Sequence, residues 1–337
     1  MKKTYITAMG HMTPKTVLDN KFFESLEIDT NEEWISSRTG IETRLSVLDH
    51  ETIRRLRRGD VSIMTLHTEQ MIPTLATMGE EAWNHMLSRD PSITNDTPDL
   101  VLCGTSVGDW EIPAAACAIA GEIGISGTAF DTNSACSSFV ADLHVARGML
   151  AIESQEKAVV FNVERYTSRV DYADRNSCVL FGDGATSAFL QGSDTAIPNS
   201  LEVVDTIMRS DTKGYHLVGI PMYQMFRQNG AAVQKFAVSR TVEVTKEILD
   251  RNNIDPSEVS YFMGHQANLR MLKSAVSKLG IEEGKHLYNV DVRGNQGGAG
   301  APAVLSENWD KYKSGDLIVV SVVGSGLSWG AALLRKI

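Results

Sequence analysis

Cys136 sits in Asp131-Thr132-Asn133-Ser134-Ala135-Cys136-Ser137-Ser138-Phe139, a run of mostly small and polar residues between apolar segments. Thr128-Ala129-Phe130 before it reads as the end of a buried strand, and Phe139 to Leu150 after it as a mostly apolar helix. A thiol at such a junction faces unpaired backbone N–H groups and the positive end of the helix dipole, which favour the thiolate. The position suits a nucleophile, although a cysteine taken alone is more often buried and inert. Two further segments add chemistry. Met263-Gly264-His265-Gln266-Ala267-Asn268-Leu269-Arg270 follows the short apolar run Val259-Ser260-Tyr261-Phe262. Arg293-Gly294-Asn295-Gln296-Gly297-Gly298-Ala299-Gly300-Ala301-Pro302 places Asn295 on a glycine-rich turn. A cysteine at a helix start, a histidine at a strand end and an asparagine on a turn are parts from which an acyl-transfer site can be built.

Such residues need a scaffold. Leu100 to Thr105, Lys157 to Val163, Ala185 to Leu190 and Asp316 to Val323 are apolar enough for strands buried on both faces. Met1 to Met9 lacks the apolar core of a signal peptide and reads as a first strand. Helices are expected from Ala114 to Gly121 after Pro113, from about Val233 to Asn252, and from Leu269 to Leu279. Alternating strands and helices predict an α/β protein. The stretch Gly192 to Asn199 reads as a plain linker. It divides the chain into residues 1–195, which carry Cys136, and residues 196–337, which carry His265 and Asn295.

A chain of 337 residues with 42% hydrophobic and 22% charged residues can bury a sizeable core. Its net charge of −10 argues against a nucleic-acid binder. Cys103, Cys117, Cys136 and Cys178 form neither a disulfide framework nor a zinc-ligand spacing. A reducing compartment follows. No segment is long and apolar enough to span a bilayer. The expectation is a cytoplasmic protein with no metal site.

The three reactive segments, in this order, resemble those of a ketoacyl synthase III, the FabH-like branch of the thiolase superfamily. His265 follows Cys136 by 129 positions and Asn295 follows His265 by 30. Thr30-Asn31-Glu32-Glu33-Trp34-Ile35-Ser36-Ser37-Arg38-Thr39-Gly40-Ile41 resembles the family's acidic-Trp-Ile segment running into Arg-Thr-Gly-Ile. Phe181-Gly182-Asp183-Gly184-Ala185 and Gly324-Ser325-Gly326-Leu327-Ser328-Trp329-Gly330-Ala331 resemble two more of its markers. The match runs from about Lys3 to Ile337 and is poorest across residues 45–72. It implies two similar α/β halves stacked as a five-layered αβαβα thiolase-like structure with the site between them. It also implies a homodimer.

The chemistry implied by the resemblance is decarboxylative Claisen condensation, with thioester substrates and no resident cofactor. Cys136 would take an acyl group from acyl-coenzyme A or an acyl carrier protein. A malonyl thioester would then lose CO₂, and the enolate would attack the acyl-cysteine. His265 and Asn295 would donate hydrogen bonds to the enolate oxygen. The backbone N–H groups of Cys136 and of the turn at Ser325 would form the oxyanion hole. Trp34 would stack on an adenine with Thr30 and Arg38 nearby, Arg175 would reach the nucleotide phosphates, and Asn268 would bond the pantetheine arm. An acidic carrier docking on an acidic chain needs a local basic patch, for which Lys235, Arg270, Lys273 and Lys278 are the candidates. The denser run Arg54-Arg55-Leu56-Arg57-Arg58 reads rather as a solvated face.

Several positions depart from the family pattern. Ser138 stands where glycine is common, and Gln234 where an aromatic often lines the tunnel. Gly297 and Gly298 replace bulkier small residues, a change expected to loosen the Asn295 turn. Gly264 stands where proline is frequent. Ile112 lies in the segment that, in the family, crosses the dimer interface to close the partner's acyl pocket. A phenylalanine there accompanies short primers, so Ile112 points to a medium or branched acyl chain. Residues 45–72 exceed the usual connection. These departures favour a specialised polyketide or secondary-metabolite synthase over the housekeeping initiator of fatty-acid synthesis. Three alternatives stand beside it. An acyltransferase to oxygen or nitrogen would need a Cys–His pair but not Asn295. A non-catalytic partner subunit of a heterodimeric synthase would need none of the three. A hydroxymethylglutaryl-type synthase would need an acid, for which Glu111 is the candidate.

Overall fold

Nine strands hydrogen-bond into one mixed sheet in a computed structural model that describes residues 2–60, 62, 73–95, 97–152 and 155–337. Of the long connection expected at 45–72, residues 61 and 63–72 lie outside the described residues. The strands are β1 (Lys3–Met12), β2 (Leu100–Gly104), β3 (Thr128–Thr132), β4 (Lys157–Arg165) and β5 (Asp183–Ser193), then β6 (Leu201–Ser210), β7 (Tyr261–Gly264), β8 (Leu317–Gly324) and β9 (Ser328–Lys336). Their order is β7-β8-β9-β6-β1-β5-β4-β2-β3. The first five strands thus form one contiguous block and the last four another. Tyr5 and Ile6 of β1 join the blocks by pairing with Glu202 and Leu201 of β6.

Alternating side chains show how the layers stack, because successive residues of a strand face opposite sides. Leu100 and Leu102 of β2 face a core shared with Ile318, Val320 and Val322 of β8. Between them lie the helices α4 (Ser138–Ala151), through Phe139, Val140 and Leu143, and α7 (Gly300–Glu307), through Ala301, Val304 and Leu305. The opposite face of β2, Val101 and Cys103, packs on α2 (Leu75–Arg89) and α3 (Ala115–Glu122). The opposite face of β8, Val319 and Val323, packs on α5 (Gly230–Arg251) and α6 (Leu269–Leu279). The sequence of layers is αβαβα, as the resemblance implied. Each fully buried valine or leucine in these layers contributes about 1.5–3 kcal/mol.

Local signals set the ends of the elements. α5 begins three residues before the expected Val233 because the Asn229 side chain caps it, accepting from Ala232 N at 3.3 Å. Such a cap is worth about 0.5–2 kcal/mol. The expected strands and helices are present, but β6 was not anticipated. Its sequence Leu-Glu-Val-Val-Asp-Thr-Ile-Met-Arg-Ser carries acids at buried positions. Glu202 is held by Lys3 at 2.8 Å and Arg335 at 3.8 Å, and Asp205 by Arg147 and Arg251 at 3.3 Å each. The arginine run lies on α1 (His50–Arg57) and just beyond it. There Arg55 pairs with Asp60 and Arg58 with Glu51, each at 2.8 Å. Among the described residues no helix is long and apolar enough to cross a membrane.

Candidate active site

The Cys136 turn is built from backbone and hydroxyl groups. After β3, Ala135–Ser137 forms one 3-10 turn, and α4 starts at Ser138. Ala135 holds φ at 47°, a left-handed conformation uncommon for a residue with a Cβ. Ser138 Oγ accepts from Ser134 N at 3.2 Å and donates to Ala135 O at 2.7 Å. The serine at 138, where glycine is common, thus closes the turn. Ser137 Oγ lies 2.6 Å from Ser134 O and 2.7 Å from Ser328 Oγ, and Ser328 Oγ donates to Ser325 O at 3.0 Å. Gly324, at the end of β8, completes the contact. A Cβ there would fall 2.8 Å from Ser134 O, 2.9 Å from Ser137 N and 3.0 Å from Cys136 N.

His265 leaves β7 with its N–H donating to Ser321 O at 2.8 Å. Leu272 fills the space that a larger residue at 264 would need, 2.5 Å from a Cβ at Gly264. Gln266 pins the following loop, donating to Gly264 O at 2.7 Å and accepting from Asn289 N at 3.1 Å. Burial pushes the His265 imidazole down to about 4, so it is neutral at physiological pH. Asn295 is fixed at both ends of its residue. Its N–H donates to Leu180 O at 2.8 Å, and its carbonyl accepts from Gly182 N at 3.0 Å. Gly297 N donates to Asn295 Oδ1 at 3.0 Å. That bond orients the amide, with Oδ1 on the backbone and Nδ2 as its donor end.

Two buried residues near Cys136 were not singled out in the sequence. Glu164, on β4, accepts from Ser106 N at 3.0 Å, Ser106 Oγ at 3.0 Å and Gly298 N at 3.1 Å. Tyr166 follows β4 with its hydroxyl 3.8 Å from Cys136 Sγ. A Cβ at Gly297 would lie 2.4 Å from Tyr166 Cε2 and 3.0 Å from Glu164 Oε1. The glycines after Asn295 therefore do not loosen its turn. Gly297 leaves room for Tyr166, and Gly298 donates to Glu164. These groups also reverse the expected thiol chemistry. Burial, and then the Glu164 carboxylate, push the Cys136 thiol up to about 12. Desolvation outweighs the helix N-terminus, and the resting cysteine is a thiol, not a thiolate.

Cys136, His265, Asn295 and Ser325 line one cavity of about 1170 Å³, together with Trp34, Arg38, Arg175 and Asn268. Gln234 lines it too. The Trp34 indole is flanked by the guanidinium groups of Arg38 at 4.6 Å and Arg175 at 4.7 Å. Arg175 also pairs with Asp29 at 2.9 Å. Asn268 Oδ1 caps α6 by accepting from Met271 N at 2.9 Å. Thr30 and Ile112 are not among the lining residues. Ile112 is 83% exposed. Lys235 on α5 and Arg270, Lys273 and Lys278 on α6 are exposed, with Lys273 paired to Glu283 at 3.1 Å.

The five-layered fold is that of the thiolase-like condensing enzymes, and the protein is an enzyme of the acyltransferase kind. Residues 130–212 match the family described as 3-oxoacyl-[acyl-carrier-protein] synthase III, and residues 249–336 match that description's C-terminal part. A β-ketoacyl-[acyl-carrier-protein] synthase III of Oleidesulfovibrio alaskensis is 32% identical over 99% of each chain. The crystal structure of the Aquifex aeolicus enzyme of that name superposes with a TM-score of 0.87 at 29% identity, covering 99% of this chain and 100% of that one. The priming β-ketosynthase of the R1128 polyketide pathway gives 0.84 at 25% identity, covering 99% and 97%. The chain belongs to the β-ketoacyl-[acyl-carrier-protein] synthase III family.

Proposed function

We propose that the protein condenses an acyl group carried on Cys136 with a malonyl thioester. Sγ attacks the donor thioester carbonyl, the carbon–sulfur bond to the donor breaks, and the donor thiol leaves with the proton of Cys136. Malonyl carboxylate then departs as CO₂, its electrons forming an enolate. The His265 imidazole N–H and Asn295 Nδ2 hold the enolate oxygen. The enolate carbon attacks the acyl carbon, and the Cys136 thiolate leaves and is reprotonated. The observation that carries this reading is Asn295, whose amide oxygen accepts from Gly297 N and which lines the same cavity as Cys136 and His265. Transfer of the acyl group to oxygen or nitrogen has no use for that donor.

The thioester arm enters past Trp34, Arg38 and Arg175, and an acidic carrier protein docks on the basic face of α5 and α6. Likeness to a priming polyketide ketosynthase supports a specialised pathway. A homodimer is favoured by the exposed apolar residues Trp110, Ile112, Met222 and Tyr223, which are 59% to 87% exposed. Tyr223 joins the two segments by donating to Glu111 Oε1 at 3.3 Å.

Intact-protein mass after incubation with acyl thioesters, beside Cys136→Ala, tests the first step. An adduct on the wild type alone is expected. Release of labelled CO₂ from malonyl thioester by the loaded enzyme tests the second. Loading without CO₂ release would sink the condensation reading.

A further inference from the structure

The proposed chemistry needs the Cys136 sulfur as an anion twice, once as nucleophile and once as leaving group. Yet among the described residues no cation acts on that anion. The titratable groups facing Sγ are Glu164 from β4, Tyr166 after β4, and His265 across the cavity. Glu164, once ionised above about pH 8, opposes the thiolate, and His265 is neutral. The Tyr166 hydroxyl is the group in position to help, 3.8 Å from Sγ. Its ring is held firmly. It stacks on Phe181 with centroids 4.6 Å apart and meets Phe226 edge-on at 6.2 Å. The close approach exists because residue 297 has no Cβ. Burial and the neighbouring Cys136 and Glu164 hold the phenol well above its ordinary value, so it keeps its proton and can donate.

We propose that Tyr166 donates a hydrogen bond to the Cys136 sulfur and stabilises its thiolate, with the phenolic proton remaining on Tyr166 throughout. The role rests on the reading of Cys136 as the acyl-bearing thiol. It makes Gly297 and Tyr166 a matched pair in which the missing side chain at one position admits the hydroxyl from the other.

Tyr166→Phe keeps the ring and removes the hydroxyl. The alkylation rate of Cys136 by iodoacetamide, corrected with Cys136→Ala for the other cysteines, is followed from about pH 7 to about pH 10, where it tracks the thiolate fraction. The variant is expected to react about tenfold more slowly at each pH, an upward shift of about one pH unit. Replacement of Tyr166 by 3-fluorotyrosine, a stronger donor of nearly the same shape, is expected to react faster than the wild type. This keeps the test informative if Tyr166→Phe folds poorly. A purely packing role would alter the melting temperature and leave the alkylation profile in place. Superimposable profiles for the wild type and the folded variants overturn the proposal. Alkylation needs no acyl donor, so the two readings fail separately. Absence of acyl loading with the shift intact removes the condensation reading and leaves the hydrogen bond standing.

Discussion

With the Cys136 thiol pushed up to about 12 and the His265 imidazole down to about 4, the resting pair is neutral. Acyl loading should therefore accelerate steadily with pH and reach no plateau near neutrality, as single-turnover rates by mass spectrometry would show. His265→Ala and Asn295→Ala should still load Cys136 but lose about 10²–10³ in CO₂ release, since each removes a donor to the enolate. Equal loss of loading in both variants would contradict that division of roles. Glu164 gives a second pH signature. Burial raises its carboxyl from 4.5 to about 8. Across that window the unfolded chain releases the proton while the folded chain keeps it, so stability falls as pH rises. Glu164→Gln should flatten that decline in a series of melting temperatures taken against pH.

At the scale of elements, the site is the meeting of three chain reversals, after β3, β7 and β8, and the Asn295 turn. Gly324→Ala tests the one after β8, where the close contacts are to backbone. The added Cβ meets backbone atoms of Ser134, Cys136 and Ser137, which cannot swing aside as a side chain would. Activity should fall more than tenfold, with destabilisation of about 1–3 kcal/mol, and a full-activity variant would show the turn to be pliable. Much of this architecture was legible beforehand. The apolar runs of β2, β4 and β8 and the glycine-flanked Asn295 announce strands and a turn by composition alone. β6 was hidden because Glu202 and Asp205 look like surface residues until Lys3, Arg147, Arg251 and Arg335 arrive from elsewhere. Tyr166 was hidden for the same reason. Its significance lies in a sulfur 30 positions away and in an absent side chain at residue 297. The thiolate expectation failed because helix geometry can be read locally, whereas desolvation depends on the whole fold.

For the whole molecule, the exposed Ile112 and its apolar neighbours make assembly the variable to test. Ile112→Glu would place an unpaired charge in the expected interface. The dissociation constant of the proposed homodimer should rise at least about a hundredfold, and sedimentation should show a smaller mass than for the wild type at the same concentration. Unchanged sedimentation would assign that patch elsewhere. A different consequence follows from the serine contacts beneath Cys136. Ser137 is fastened to Ser328, and Gly324 presses on the same turn. During translation, Cys136 leaves the ribosome long before residues 324–328 have been made. Until they dock, its turn lacks its far-side support, and the nascent chain carries a solvated thiol that ionises more readily than the buried one of the finished fold.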